Sequence, residues 1–222
     1  MSRLNHITLG LVLASLATTD AAAQWNVSRY GTARKHVYTT FGLDPAIITS
    51  AGLSSVGTLV QHDFQLTAEA GIVTAHADAG DFRTRLGLQT SLARWRSLQL
   101  TGSAMAVVRG TDNSVYRGIN FGADVSGTLG VYRPRWFAAG EVGKDKAIIT
   151  HVKHTDWYRQ NFYADAKDGW YLDAGGTLRH GIAAGLTVGR VELMTRMGWL
   201  KTEDYNRVMT PGYASIGVGF GY

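Results

Sequence analysis

Gly212-Tyr213-Ala214-Ser215-Ile216-Gly217-Val218-Gly219-Phe220-Gly221-Tyr222 closes the chain, and its reading decides the fold. In an extended strand successive side chains point to opposite faces. Ala214, Ile216, Val218, Phe220 and Tyr222 therefore share one face, and Ser215, Gly217, Gly219 and Gly221 share the other. A strict period of two with one apolar face and one face of small residues marks a β-strand in a sheet whose two sides meet different surroundings.

The strand stops on an aromatic residue, with apolar residues two, four and six places before it. That pattern resembles the assembly signal of bacterial outer-membrane β-barrel proteins. The family most often ends in Phe, and Tyr222 stands in its place here. The resemblance implies a closed antiparallel transmembrane barrel in the cell outer membrane, handled by the barrel assembly machinery during biogenesis.

The other end of the chain points the same way. Met1 to Ala23 carries a short basic region at Arg3 and His6, an apolar run from Ile7 to Ala17, and a small-residue site at Ala21-Ala22-Ala23. This is the pattern of a secretory signal peptide, and the apolar run is too short to span a bilayer. Residues 1–23 are expected to be removed, leaving residues 24–222 as one barrel domain of roughly 200 residues. The chain has no cysteine, so an exported protein of this sequence holds together by packing or by closing its sheet rather than by disulfides. Glycine is frequent at 27 and proline rare at three, which suits strands in a barrel better than helices. Arg3 and Asp20 cancel, so the formal net charge of +5 belongs to residues 24–222. For an exported chain that charge fits anionic lipid heads, and nucleic acid is not an expected partner.

Alternation recurs along the chain. It predicts strands over His36–Leu43, Ala46–Val56, His62–Ala75, Asp81–Ala93, Leu98–Arg109 and Tyr116–Tyr132. Further strands are predicted over Arg135–Lys144, Trp170–His180, Val191–Leu200 and the final stretch. A turn is expected at Gly57, and a loss of phase over Gly181–Gly189 reads as a turn or bulge. Ten strands of about ten residues suit tilted membrane strands. The weak first pair, His36–Val56, decides between ten and eight. The same alternation is open to a periplasmic sandwich or lipocalin-like barrel with its apolar faces turned inward. Short turns at Arg94–Arg96 and Arg133–Pro134 would share the end of the C-terminus, with longer loops at Gly110–Ser114, Asp145–Ala166 and Lys201–Pro211 at the other, outer end. Trp95, Tyr132, Trp136, Phe220 and Tyr222 would then form one aromatic girdle, and Tyr116, Trp157, Trp170 and Trp199 a second.

The polar faces carry Asp63, Glu69, Arg83, Arg85, Asp124, Glu141, Asp173, Arg179, Glu192 and Arg196. Acids and bases are close to balanced, which predicts a salt-bridged network inside the barrel. The Asp145–Ala166 loop and its flanks interleave Lys144, Lys146, His151, Lys153, His154, Arg159 and Lys167 with aromatic residues. Cations beside aromatics suit the phosphates of lipopolysaccharide, so outer-membrane lipids are the expected partners of Lys144, Lys146, His151, Lys153, His154 and Arg159.

The expected role is a porin-like, monomeric, non-catalytic one: structural or binding at the cell surface, extending to limited passage of small solutes if the lumen is open. No cofactor and no metal site is expected. His151 and His154 lack a third ligand, and no strand carries a Gly-x-Ser-x-Gly motif. The alternative is a lipid-modifying hydrolase at the outer rim. His151, His154 and Asp156 lie on one loop there, with Ser114, Asp112 and Asn113 on a neighbouring one.

Overall fold

The structure, a computed structural model, describes residues 26–29, 34–44, 46–59, 62–74, 80–173, 175–203 and 207–222. The expected signal peptide, residues 1–23, and the expected mature terminus at Gln24 lie outside the described residues.

Eleven strands follow one another: β1 Lys35–Leu43, β2 Ile47–Leu59, β3 His62–Val73, β4 Phe82–Trp95, β5 Leu98–Asp112 and β6 Tyr116–Arg133 come first. Then come β7 Trp136–His154, a one-and-a-half-turn helix α1 Asp156–Asn161, β8 Gly169–Leu172, β9 Gly176–Val188, β10 Val191–Thr202 and β11 Arg207–Gly221. Each strand pairs antiparallel with its neighbour in the chain except around β8, and β11 pairs with β1. The ring β1–β7, β9–β11 is a closed ten-stranded barrel, and β8 is an extra strand on the upper half of β7. The quoted terminal stretch is the closing seam: Phe220 lies opposite Val37 of β1 on one side and Val191 of β10 on the other.

Closure explains why no strand of the ring presents an open edge. It also settles the strand number. β1 and β2 pair along nine successive residues, from Lys35↔Ser55 to Leu43↔Ile47.

The wall is inside out. Outward positions are apolar and exposed: Leu53 by 60%, Leu92 by 61%, Val142 by 63% and Ile216 by 61%. Inward positions bury polar side chains such as Gln65, Thr67, Gln99, Asp124, Glu141 and Glu192. Aromatic rings also point in where the facing strand carries glycine. Tyr38 lies against Gly52, and Phe137 occupies the space a Cβ at Gly185 would need. Phe137 stacks on Tyr132 at 5.1 Å between ring centroids, so Tyr132 belongs to the interior and not to an outer girdle.

Three sequence expectations change. The turn expected at Gly57 comes later, because β2 runs on to Leu59. The phase loss over Gly181–Gly189 is not a break: β9 is continuous to Val188 and turns at Gly189, whose φ is +61°. Small residues line its inward face there to admit Phe137 and Tyr213, and that hid the alternation. Conversely, Trp170–His180 is two strands. The chain leaves the ladder at Asp173 and Gly175, both with positive φ, so β8 and β9 lie end to end along β7.

The connections differ at the two ends. At the end that carries the C-terminus, β4–β5, β6–β7 and β9–β10 join through two residues each. At the other end, the start of β6 and the end of β7 continue past the ring as a paired ribbon, and α1 and β8 follow on from β7. The predicted loop at Asp145–Ala166 is thus strand as far as His154. A bulge shifts the register here: Phe121 faces Ile149 and Gly122 faces Ala147, leaving Ile148 unpaired. One inserted residue inverts the faces, which is why the alternation breaks off in the sequence.

Candidate functional site

The inward face of the sheet builds a layer of charge across the lumen. On β9, Arg179 donates from both terminal nitrogens to Asp124 of β6, at 2.8 and 2.7 Å, and from Nε to Glu141 of β7 at 2.9 Å. Arg196 of β10 holds the same Glu141, with Nε at 2.9 Å from Oε2 and a second contact to Oε1. On the opposite wall Arg83 and Arg85 of β4 meet Asp44, which follows β1, at 3.0 and 3.2 Å. Arg85 also lies 3.9 Å from Glu69 of β3, whose other oxygen accepts from the Tyr38 hydroxyl at 3.0 Å. Four guanidiniums thus face four carboxylates, so the layer is neutral. Bidentate arginine–carboxylate geometry is the arrangement that sustains ions away from water.

Little space remains around this layer. A cavity of about 60 Å³ lies between Arg85, Asp124, Arg179 and Arg196 and the Tyr132–Phe137 stack. A second of about 30 Å³ lies beside Asp44, Glu69 and Arg83. Each is room for a water or two. Toward the long-loop end the lumen opens into a vestibule of about 530 Å³, with Arg109, Asp145, Asn120 and Tyr116 in its wall and Arg83 and Arg179 in its floor. Arg109 pairs with Asp145 and donates to Asn120 at 3.0 Å.

The opposite mouth is corked. Residues 26–29 enter it as a single 3-10 turn, and the Asn26 amide donates to the Arg133 carbonyl at 2.9 Å. Val27 packs with Tyr38, Tyr132, Phe137 and Met194. Arg29 lies 3.8 Å from Glu192, which is 1% exposed.

Of the ten residues assigned to the interior network, Glu69, Arg83, Arg85, Asp124, Glu141, Arg179 and Arg196 lie in the layer, and Glu192 lies at the corked mouth. The other two do not belong to it. Asp63 sits exposed at the short-turn rim, accepting from Thr58 at 2.7 Å. Asp173 is at the β8–β9 break, its side chain 71% exposed and paired with Lys146. Counting in twos fails at both places, since the strand has not entered the lumen at Asp63 and has left the ladder at Asp173.

The six cations assigned to lipopolysaccharide are scattered by the fold. Lys144 points outward from β7 and meets Glu203 at 2.7 Å. Lys146 meets the other oxygen of Glu203 at 2.5 Å and also Asp173. Hydrogen bonds from these two lysines hold the Glu203 carboxyl below the usual carboxylate range. His151 lies against Trp170, with 4.9 Å between ring centroids. Lys153 is exposed near the outer end of β7. His154 and Arg159 converge on Asp168: Arg159 Nη2 lies 2.6 Å from Oδ1, the His154 amide donates to that oxygen at 2.8 Å, and the His154 ring is 3.3 Å away. Acidic side chains therefore engage four of the six: Glu203 and Asp173 hold the two lysines, and Asp168 holds His154 and Arg159.

Asp168 thus takes the place beside His154 that the sequence reading assigned to Asp156. Ser114 contributes its carbonyl, which accepts from the Thr155 hydroxyl at 2.5 Å. Among the described residues no serine hydroxyl hydrogen-bonds to His151 or His154, and no cluster of three metal-ligating side chains is present.

Asp44, Tyr38, Arg109 and Asp145 were missed as interior residues. Three carried a usable signal: Tyr38 and Arg109 fall on the inward phase of the predicted strands His36–Leu43 and Leu98–Arg109, and Asp145 follows Arg135–Lys144 in phase with Glu141. Asp44 lies beyond the end of β1, where alternation has no say. The site belongs to a closed, side-chain-filled antiparallel β-barrel. No known family model matches the chain, and no curated protein is significantly similar to it.

Proposed function

We propose that this barrel spans the bacterial outer membrane and serves there in a non-catalytic structural or binding role at the cell surface, with a lumen closed to solutes. The observation that carries the reading is the inversion of the wall: exposed leucine, isoleucine and valine outside, paired arginine and carboxylate inside. Water would disfavour that exterior by about 25 cal/mol for each Å² of apolar surface, whereas hydrocarbon accepts it. Outward Trp95 and Trp136 near one end and Trp199 toward the other fit the two headgroup levels. In this reading the short turns are periplasmic, the outer ends of β6 and β7 with α1 and β8 are extracellular, and outer-membrane lipids including lipopolysaccharide surround the wall.

The test is electrophoresis of detergent-refolded protein with and without boiling, alongside fractionation of cells expressing the full chain. The expected outcome is a band whose mobility changes on heating, from protein found in the outer-membrane fraction with its N-terminus at Gln24. Protein that stays soluble without detergent and shows no heat-dependent shift would overturn the reading.

A further inference from the structure

The end of the barrel that carries the C-terminus gathers positive charge. Arg94 and Arg96 lie at the β4–β5 turn, and Arg133 and Arg135 at the β6–β7 turn. β5 and β6 are hydrogen-bonded neighbours, with Leu98 opposite Val131, so the two turns stand side by side. Adjacent strands are about 4.8 Å apart, which sets the two turns roughly 10 Å from each other. All four arginines are exposed. Residues 94–97 and 133–135 contain no acid. Among the described residues no carboxylate pairs with any of the four. The interior arginines differ, since Arg83, Arg85, Arg179 and Arg196 each meet a carboxylate.

Two tryptophans stand among these charges. Trp95 lies between Arg94 and Arg96 in the chain and is 70% exposed, and the Arg96 guanidinium lies over its ring, 5.9 Å from the centroid. Trp136, 45% exposed, stands directly opposite Arg133 in the β6–β7 pair. Above them the outer wall is apolar, with Leu98, Leu100 and Leu129 exposed and Leu100 paired to Leu129. Indole rings favour the headgroup level of a bilayer. A guanidinium beside such a ring is therefore at the depth of lipid phosphates, and its planar fork takes phosphate oxygens in pairs.

Four neighbouring cations without an acid repel one another, and an anion placed among them relieves that repulsion. A headgroup that carries its own ammonium brings part of the repulsion back, so a net-negative headgroup fits the cluster better than a zwitterionic one. Resting on the membrane-spanning reading above, which makes this end periplasmic, we propose that the two turns bind an acidic phospholipid of the periplasmic leaflet. Its phosphate sits between the Arg94–Arg96 and Arg133–Arg135 turns, and its acyl chains run along Leu98, Leu100 and Leu129. The site lies at the opposite end of the barrel from Lys153 and Arg159.

The test is native mass spectrometry of the detergent-solubilised barrel with phosphatidylglycerol, with phosphatidylethanolamine of the same acyl chains, inorganic phosphate and polyglutamate as comparison probes. The wild-type barrel is expected to retain phosphatidylglycerol in preference to phosphatidylethanolamine, and less of it as salt is raised. The variant Arg94→Gln, Arg96→Asn, Arg133→Gln, Arg135→Gln should bind it at least about tenfold more weakly. Asparagine is chosen at position 96 because the backbone there has a φ of +54°, which asparagine tolerates. Lys153→Gln with Lys167→Gln removes exposed charge at the other end and should bind as wild type. Both variants should keep the heat-dependent mobility of the folded barrel. Equal retention of the two phospholipids, or wild-type binding by the fourfold variant, would overturn the proposal. Displacement by millimolar inorganic phosphate would reduce the cluster to an anion site, and displacement by polyglutamate would assign it to an acidic protein; either overturns the lipid. A wild-type chain that inserts into liposomes without this preference loses the lipid site alone, whereas one that does not insert removes the membrane reading itself.

Discussion

Arg179 joins two strands of the interior, since it holds both Asp124 and Glu141, each almost fully buried. Truncating one partner of a buried ion pair leaves a carboxylate with neither water nor counter-charge, at a cost of about 3–5 kcal/mol. Arg179→Ala is therefore expected to lower the stability of the refolded barrel by that amount in urea denaturation in detergent. Arg179→Met combined with Asp124→Leu should recover part of the loss, because removing both charges removes the orphan. A single substitution without effect would show that water reaches the layer. Glycine is the counterpart of these large side chains. Phe137 can lie flat in the interior because Gly185 has no Cβ to meet it.

Among the elements, the outer ends of β6 and β7 with α1 and β8 depart furthest from the ring, and Asp168 clasps them. Hydrogen bonding from Arg159, then from the His154 amide, lowers the Asp168 pKa to about 2. A carboxyl whose folded pKa lies below its ordinary value contributes stability fully above that ordinary value. The contribution is lost as pH falls from near 4 through about 2. The carboxyl carbon resonance of Asp168 is therefore expected to titrate with a midpoint near 2, and Asp168→Asn should free α1 to proteolysis at neutral pH. A midpoint near 4 would mean that Arg159 does not hold it in solution. The extent of this ribbon was hidden because the bulge at Ile148 inverts the alternation halfway up β7. The β8–β9 break was hidden for a different reason. Asp173 and Gly175 interrupt the ladder through backbone conformation, which a pattern of polar and apolar residues does not record.

At the scale of the molecule, two closures stand in series. The charged layer lies beneath the vestibule, and the segment at residues 26–29 fills the opposite mouth. Planar-bilayer recordings are accordingly expected to show no ion-conducting steps for the wild-type barrel. None should appear after deletion of residues 24–29 alone, since four arginines and four carboxylates still span the lumen. Steps in the deletion variant would show that the layer does not seal and that the cork alone closes the barrel.

The sequence by itself determined that the chain is built of strands with one apolar and one polar face, because side-chain direction along a strand depends only on counting in twos; that the sheet closes into a ring was decided by the pairing of β11 with β1. It also determined most of the interior charges, since those on regular strands inherit their direction from the same count. Only the tertiary structure decided which acid meets which base. Asp124, Glu141, Arg179 and Arg196 come from four strands, and closure of the ring alone sets their distances. The placement of Lys144 and Lys201 on either side of Leu178 is of the same kind. Strand register is a relation between segments, and no single stretch of sequence contains it.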